Sequence, residues 1–156
     1  MADLQITNAQ HKLLSKLYYD DPLGFIEDVI VYEEKPDENG ESKLIHVGSQ
    51  QREVLKAVAK SGRDIMPVSV KSGHGTGKTC VASWIALWYL FTRRNSKCMI
   101  VAPTEKQAKN GLWQELKFWI DNSPFLSSFF VFGSELINVR DFSGEGTQAG
   151  WQIELR

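Results

Sequence analysis

No apolar stretch in this 156-residue sequence is long enough for a bilayer. The longest, near Cys80 to Phe91, falls short of the ~20 residues that a membrane helix needs and reads instead as a buried helix. The N-terminus is polar and lacks a basic-then-apolar pattern, so no signal peptide is visible. Cysteine is scarce. Cys80 and Cys98 fall on different expected elements without metal-ligand spacing. They read as buried thiols rather than a disulfide or redox pair, which suits a cytosolic setting. There is no internal repeat, no low-complexity segment and no dense stripe of Lys or Arg. Charge therefore permits nucleic-acid binding without showing it.

What is present suits one soluble domain: 42% hydrophobic and 24% charged residues, at a length able to bury most of the apolar surface. A near-even balance of 18 basic and 19 acidic side chains hides an asymmetry. Residues 20–41 hold nine acidic side chains against Lys35 alone, whereas residues 42–156 hold fifteen basic against nine acidic. The acidic block reads as a solvated face and loop.

One stretch carries chemistry: Ser72-Gly73-His74-Gly75-Thr76-Gly77-Lys78-Thr79. It follows a β-rich run, Ile65 to Lys71, and opens a helical run that is apolar almost all round. Glycines that let the backbone turn sharply, followed by Gly-Lys-Thr at a helix start, suit a triphosphate. Loop N–H groups point at the phosphates and the helix N-terminus adds partial positive charge. The Lys78 ammonium is expected to reach the β- and γ-phosphates, and the Thr79 hydroxyl to coordinate Mg²⁺. Against the pattern G-x-x-x-x-G-K-[ST], the first position is Ser72. The plain alternative is a Gly-rich turn before a helix.

Around this loop the chain reads as alternating elements. Asn8 is expected to cap a helix over Ala9 to Tyr19, with Leu13, Leu14, Leu17 and Tyr18 as its apolar face. Asp21-Pro22 reads as N-cap and first turn of a second helix carrying Phe25, Ile26, Val29 and Ile30. Glu33 to Glu41 reads as a loop and Leu44 to Val47 as a short strand or extended lead-in. Ser49 is expected to cap a helix over Gln50 to Lys60, with Val54, Leu55 and Val58 inward and Ser61-Gly62 ending it. Ile65 to Lys71 is expected to be a strand whose pairing starts after Pro67. Cys98 to Ala102 resembles a buried parallel strand. Thr104-x-x-Gln107 reads as a capping box opening a helix to about Asp121, with Leu112, Trp113, Leu116 and Ile120 inward. Pro124 to Val131 reads as a short aromatic helix or turn. Glu135 to Arg140 and Trp151 to Arg156 read as short strands, with a Ser143-to-Gly146 loop between them. Strand, loop, helix, strand, helix implies an α/β chain with a βαβ core and a parallel sheet.

Two further motifs accompany the loop. Gln51, about twenty residues upstream, has an amide that both donates and accepts, and so can pair with adenine N6 and N7; exposed helical glutamines are also common. Pro103-Thr104-Glu105-Lys106-Gln107 can hold a backbone phosphate at a helix start, or be a capping box alone.

Together these pieces resemble a known family. Asp21-Pro22-x-x-Phe25, Gln51-Arg52-Glu53-Val54-Leu55, the Ser72–Thr79 loop and Ala102-Pro103-Thr104-x-x-Gln107 look like the large terminase subunit of tailed bacteriophages, in order and spacing from about residue 20 to residue 120. The resemblance implies a P-loop NTPase core of the ASCE/RecA-like type: a three-layer architecture with a parallel sheet, preceded by N-terminal helices. Residues 1–48 are then an N-terminal helical and acidic loop region, and residues 49–156 the first half of an ATPase domain. It implies an ATP- and Mg²⁺-dependent motor that pumps double-stranded DNA into a procapsid in the host cytoplasm. A small terminase subunit and the portal protein are its implied partners, with self-association in the full motor and no membrane. Within it, Gln51 would read adenine, and Ser72, Gly73, His74, Gly75, Thr76, Gly77, Lys78 and Thr79 would hold the nucleotide. Lys78 would be catalytic, Thr79 a metal ligand and Pro103 to Gln107 a motor segment.

The departures are equally specific. Family members carry an apolar strand ending in Asp-Glu, for Mg²⁺ and for the attacking water. Leu136 to Asp141 has an Asp without a following Glu. No acidic nuclease domain follows, and the loop has no arginine; Lys71, just before it, is a weak substitute. The chain is therefore expected to be a truncated gene, fragment or split product that binds ATP but hydrolyses it negligibly alone. Two other readings are a superfamily 2 helicase or translocase fragment and a non-catalytic nucleotide-binding scaffold.

Overall fold

The computed structural model describes residues 5–30, 38–40, 46–64, 66–143 and 146–156, with the side chains of 62–64 left aside. Most of the expected 33–41 loop, residues 44–45 of the lead-in, Ile65 and residues 144–145 lie outside the described residues.

The chain is α/β. Helix α4 (Lys78–Thr92) is its axis, packed against α1 (Asn8–Leu17), α2 (Pro22–Phe25), α3 (Ser49–Asp64), α6 (Gln114–Asn122) and the strands β1 (Lys97–Ile100) and β4 (Thr147–Leu155). Its sequence dictates that position. Val81, Trp84, Ala86, Leu87, Trp88, Leu90 and Phe91 cover most of its circumference, so burial on several sides is the way to remove them from water. Each large side chain so buried contributes roughly 1.5–3 kcal/mol.

α3 departs from expectation at both ends: its first bond is Arg52 N–H to the Gly48 carbonyl, so Ser49 lies inside the helix rather than capping it, and it runs past Ser61-Gly62 to Asp64. Several other helix starts follow their local signals. Asp21 accepts from the Gly24 N–H at 2.9 Å, with Pro22 in the first turn of α2, which runs on as a π-helical segment over Ile26–Ile30. Thr104 accepts from the Gln107 N–H at 3.2 Å to open α5 (Glu105–Ala108). A second π-helical segment, Lys109–Trp113, joins α5 to α6. Ser123 opens α7 (Pro124–Phe129) by accepting from Leu126 N–H. α1 begins one residue earlier than expected. Thr7, not Asn8, is its N-cap, in a capping box with Gln10. Its buried face is also different: Leu13 and Leu17 are 70% and 65% exposed, while His11 and Tyr18 are buried.

The sheet has four strands in the order β1-β4-β3-β2, with β2 (Phe130–Phe132) and β3 (Leu136–Arg140). It is mixed rather than parallel throughout. β1 pairs with β4 in parallel, whereas β2 with β3 and β3 with β4 are antiparallel. The reason is the Gly133 turn: two strands joined across so few residues must run antiparallel. Residues 66–71, most of the Ile65-to-Lys71 run expected as a strand, have no regular secondary structure and no strand pairing among the described residues. Among the described residues no helix is long and apolar enough to cross a membrane.

Candidate functional site

Residues 66–71 lead into the Ser72–Thr79 loop, which turns at His74-Gly75 and enters α4 at Gly77. Gly75 and Gly77 have φ of +74° and +77°, the left-handed region that favours glycine. Gly77 is the N-cap of α4, and no side chain caps that helix. The first intrahelical bond is Val81 N–H to the Gly77 carbonyl at 3.0 Å, so the N–H groups at the helix start have no intrahelical acceptor. The geometry suits an anion: sharp left-handed turns, then a long helix whose positive end is uncovered.

Side chains tie the loop to itself. Ser72 Oγ and Thr76 Oγ1 are 2.8 Å apart, and Thr76 donates to the Gly73 carbonyl at 3.2 Å. Lys78 Nζ donates to the Ser72 carbonyl at 2.8 Å and to that of Gly73. The ammonium thus folds back over the loop, where it lies exposed and ready to exchange these carbonyls for a stronger anionic acceptor.

Gln51 comes to the loop from α3. Its Oε1 accepts from the Gly48 N–H at 2.8 Å, which makes it the third-position side chain that closes back on a helix start. Its Nε2 lies against Gly77, so close that a Cβ there would stand 2.6 Å away. Gln51, Gly75, Thr76 and Gly77 line a cavity of about 340 Å³. Gln51, Ser72, Thr76 and Lys78 line a second, of about 670 Å³. Gly73, His74 and Thr79 line neither cavity, although they belong to the same exposed loop and helix start.

The probable large terminase subunit of Enterobacteria phage P7 is 30% identical to the chain over 86 residues, which are 53% of this chain and 17% of that protein. The match supports a distant terminase-like relationship over a small part of the relative. No family model matches, and no solved structure matches.

Gly48, beside the loop, was not singled out from the sequence. Gly48 supplies the N–H that occupies Gln51; a Gly-x-x-Gln helix start was the available signal. Glu53 and Val54 of α3 line the larger cavity with Val68 and Val70. Arg52 pairs with Glu27 and donates to the Val47 carbonyl at 3.2 Å, so the start of α3 is tied to the acidic stretch before it. Among the described residues no group of three or more His, Cys, Asp or Glu is arranged to hold a metal. A metal at this loop would rest on Thr79 and on the oxygens of its ligand. Cys80 and Cys98 are free thiols held protonated, Cys80 by burial and then the Glu115 carboxylate, Cys98 by burial. Neither offers a thiolate. Thr104 and Gln107 sit at the start of α5, where their bond is the cap itself.

Proposed function

We propose that this chain is the ATP-binding part of a phage DNA-packaging terminase large subunit, the motor that translocates double-stranded DNA into a procapsid. One observation carries the reading. Two left-handed glycines deliver the chain onto the uncapped start of α4 with the Lys78 ammonium over the loop. The distant match to a terminase large subunit supports it.

In this reading the backbone N–H groups of Gly75 to Thr79 hold the phosphates. Lys78 leaves the Ser72 and Gly73 carbonyls to meet the β- and γ-oxygens, and Thr79 holds Mg²⁺ from the first turn of α4. Gln51 reads the base with both amide atoms, Nε2 donating to adenine N7 and Oε1 accepting from N6 with the lone pair that the Gly48 N–H leaves free. Bound Mg²⁺-ATP supplies the phosphoryl bond whose cleavage drives movement. Lys78 stabilises charge that builds on the transferred group. The small subunit, the portal, further copies of the subunit and DNA are the partners that this role requires, in the host cytoplasm.

Equilibrium titration of the purified chain with a fluorescent ATP analogue and Mg²⁺ tests the reading. The expected result is weak, saturable binding that Lys78→Ala abolishes, with negligible phosphate release. Binding that survives Lys78→Ala refutes the loop as the nucleotide site. Robust hydrolysis lost in that variant shows instead that a water-activating group is present in the chain.

A further inference from the structure

At the far end of α4 from the loop, four cationic side chains line one cavity of about 640 Å³. Lys12 and Lys16 come from α1, one helical turn apart, and Arg93 and Arg94 follow the last turn of α4. Among the described residues none of the four is in an ion pair. Asp20 is the carboxylate in the lining, which leaves a net charge of +3, four cations less one anion. Cations do suit the C-terminal ends of helices. Here, however, the carbonyls that they would meet at the end of α4 are taken, that of Tyr89 by the Arg93 N–H, that of Leu90 by Trp151 and that of Phe91 by His11. Arg93 is also held in place. Its guanidinium carbon lies 4.0 Å from the centre of the Tyr19 ring and 4.3 Å from that of Trp88. Its Nη1 donates to the Tyr19 carbonyl at 2.9 Å and to Thr92 Oγ1 at 2.6 Å, while Nη2 and Nε have no acceptor among the described residues.

We propose that this cavity is a second anion site, one that takes a compact oligophosphate with the chemistry of inorganic tripolyphosphate. Phosphate matches the charge. A phosphoryl group brings about 1.5–2 negative charges at pH 7, where a carboxylate brings one. The fixed Arg93 fork offers planar donors in the geometry that phosphate oxygens accept, and the exposed Lys12, Lys16 and Arg94 adapt around it. The Ser15 and Thr92 hydroxyls already donate to the Lys12 and Trp88 carbonyls. The donors left to a ligand are therefore mainly cationic, and such donors read phosphate oxygens rather than a base edge. Compactness follows from placement. The four cations gather in one pocket, and the chain has no dense stripe of Lys or Arg along which a nucleic-acid backbone would track. The site is separate from the Ser72–Thr79 loop and holds whatever that loop binds.

The test is calorimetric titration of the purified chain carrying Lys78→Ala with inorganic tripolyphosphate, at low salt and without Mg²⁺. That substitution removes the ammonium of the loop, so the two anion sites are read apart. The expected result is saturable binding at one equivalent per chain. Lys12→Gln combined with Lys16→Gln, two exposed positions on α1, should weaken it about tenfold or more with unchanged circular dichroism. Should the combined variant misfold, Arg94→Gln, also exposed, should show the loss. ATP should bind no more tightly than tripolyphosphate, and added salt should weaken both. Binding seen in the native chain but absent from Lys78→Ala would overturn the proposal and leave the loop as the phosphate site. Binding that the charge variants leave unchanged would overturn it as well. So would oligonucleotides whose affinity rises with length beyond that of tripolyphosphate, since the patch would then be part of a nucleic-acid track.

Discussion

At Gly77 one hydrogen atom stands between the loop and Gln51. Gly77→Ala places an L-residue at φ +77°, which costs about 1–2 kcal/mol. It also drives a Cβ to 2.6 Å from Gln51 Nε2. The side chain can swing away, at the expense of its bond to the Gly48 N–H, a bond of about 0.5–1.5 kcal/mol. Urea unfolding of the two single variants and the double should therefore show positive coupling, Gly77→Ala costing less once Gln51→Ala has removed the obstacle. Gln51→Ala should separately lower the preference for ATP over GTP. Lower stability with unchanged selectivity would confine Gln51 to its helix start. His11 offers a different test. Its Nε2 donates to the Phe91 carbonyl at 2.7 Å, its ring stacks on Phe129, and Phe91 and Trp151 meet it edge-on. Burial, with a smaller contribution from Arg94, holds its pKa below the ordinary 6.5, against the pull of the Phe91 carbonyl. The folded state thus resists protonation more than the unfolded chain does. Its stabilisation is complete above the unfolded value and is lost as pH falls from there through the lowered folded value. Urea midpoints at pH 7.5 and 5.5 should fall more for the native chain than for His11→Gln.

At the scale of elements, the C-terminus of α4 shows how distant parts meet. The last carbonyls of a helix lack intrahelical donors. Here Arg93 N–H takes the Tyr89 carbonyl at 3.0 Å, Trp151 Nε1 of β4 takes that of Leu90 at 2.7 Å, and His11 of α1 takes that of Phe91. Trp151→Phe keeps most of the ring but leaves the Leu90 carbonyl buried and unmet. It should cost about 1–3 kcal/mol in urea unfolding; a loss below ~0.5 kcal/mol would mean that water reaches that carbonyl. Such ties explain what was legible in the sequence and what was not. Asp21-Pro22 and Thr104 were readable because a cap acts within three residues, and β3 and the second half of β4 because alternation is local; Thr147 to Gly150, which begin β4, were not read as strand. The buried face of α1 was not. Leu13 and Leu17 look like core, and His11 is core because Phe91, Phe129 and Trp151 surround it from eighty or more residues away. The antiparallel course of β3 was hidden for a related reason, since pairing depends on register between segments. The run before the loop has strand composition, but composition does not provide a partner. At the site, the glycines and Lys78 could be read directly, whereas the contact of Gln51 with Gly77 arises from the packing of α3 beside the loop.

For the whole molecule, the decisive arrangement is that the candidate site sits on the first turn of the helix that most of the other helices and two of the four strands pack against. α4 joins the loop to α1, α2, α3, α6, β1 and β4, so a ligand at Gly77–Thr79 acts on the fold's central element. A ligand that binds the folded state alone stabilises it by RT ln(1 + [L]/Kd), about 2.7 kcal/mol at a hundredfold excess over Kd. Because most of α4 from Val81 onward is buried, unfolding it means unfolding the core, and the linkage should be global. Saturating Mg²⁺-ATP is expected to raise the thermal midpoint. It should also slow amide exchange at the far end of α4, near Leu90 and Phe91, as well as in the loop. In Lys78→Ala both effects should vanish while the ligand-free midpoint stays close to that of the native chain, since the exposed ammonium bonds only loop carbonyls. Slowed exchange restricted to residues 72–79, with no change in midpoint, would mean that the loop orders locally and that α4 does not transmit its occupancy.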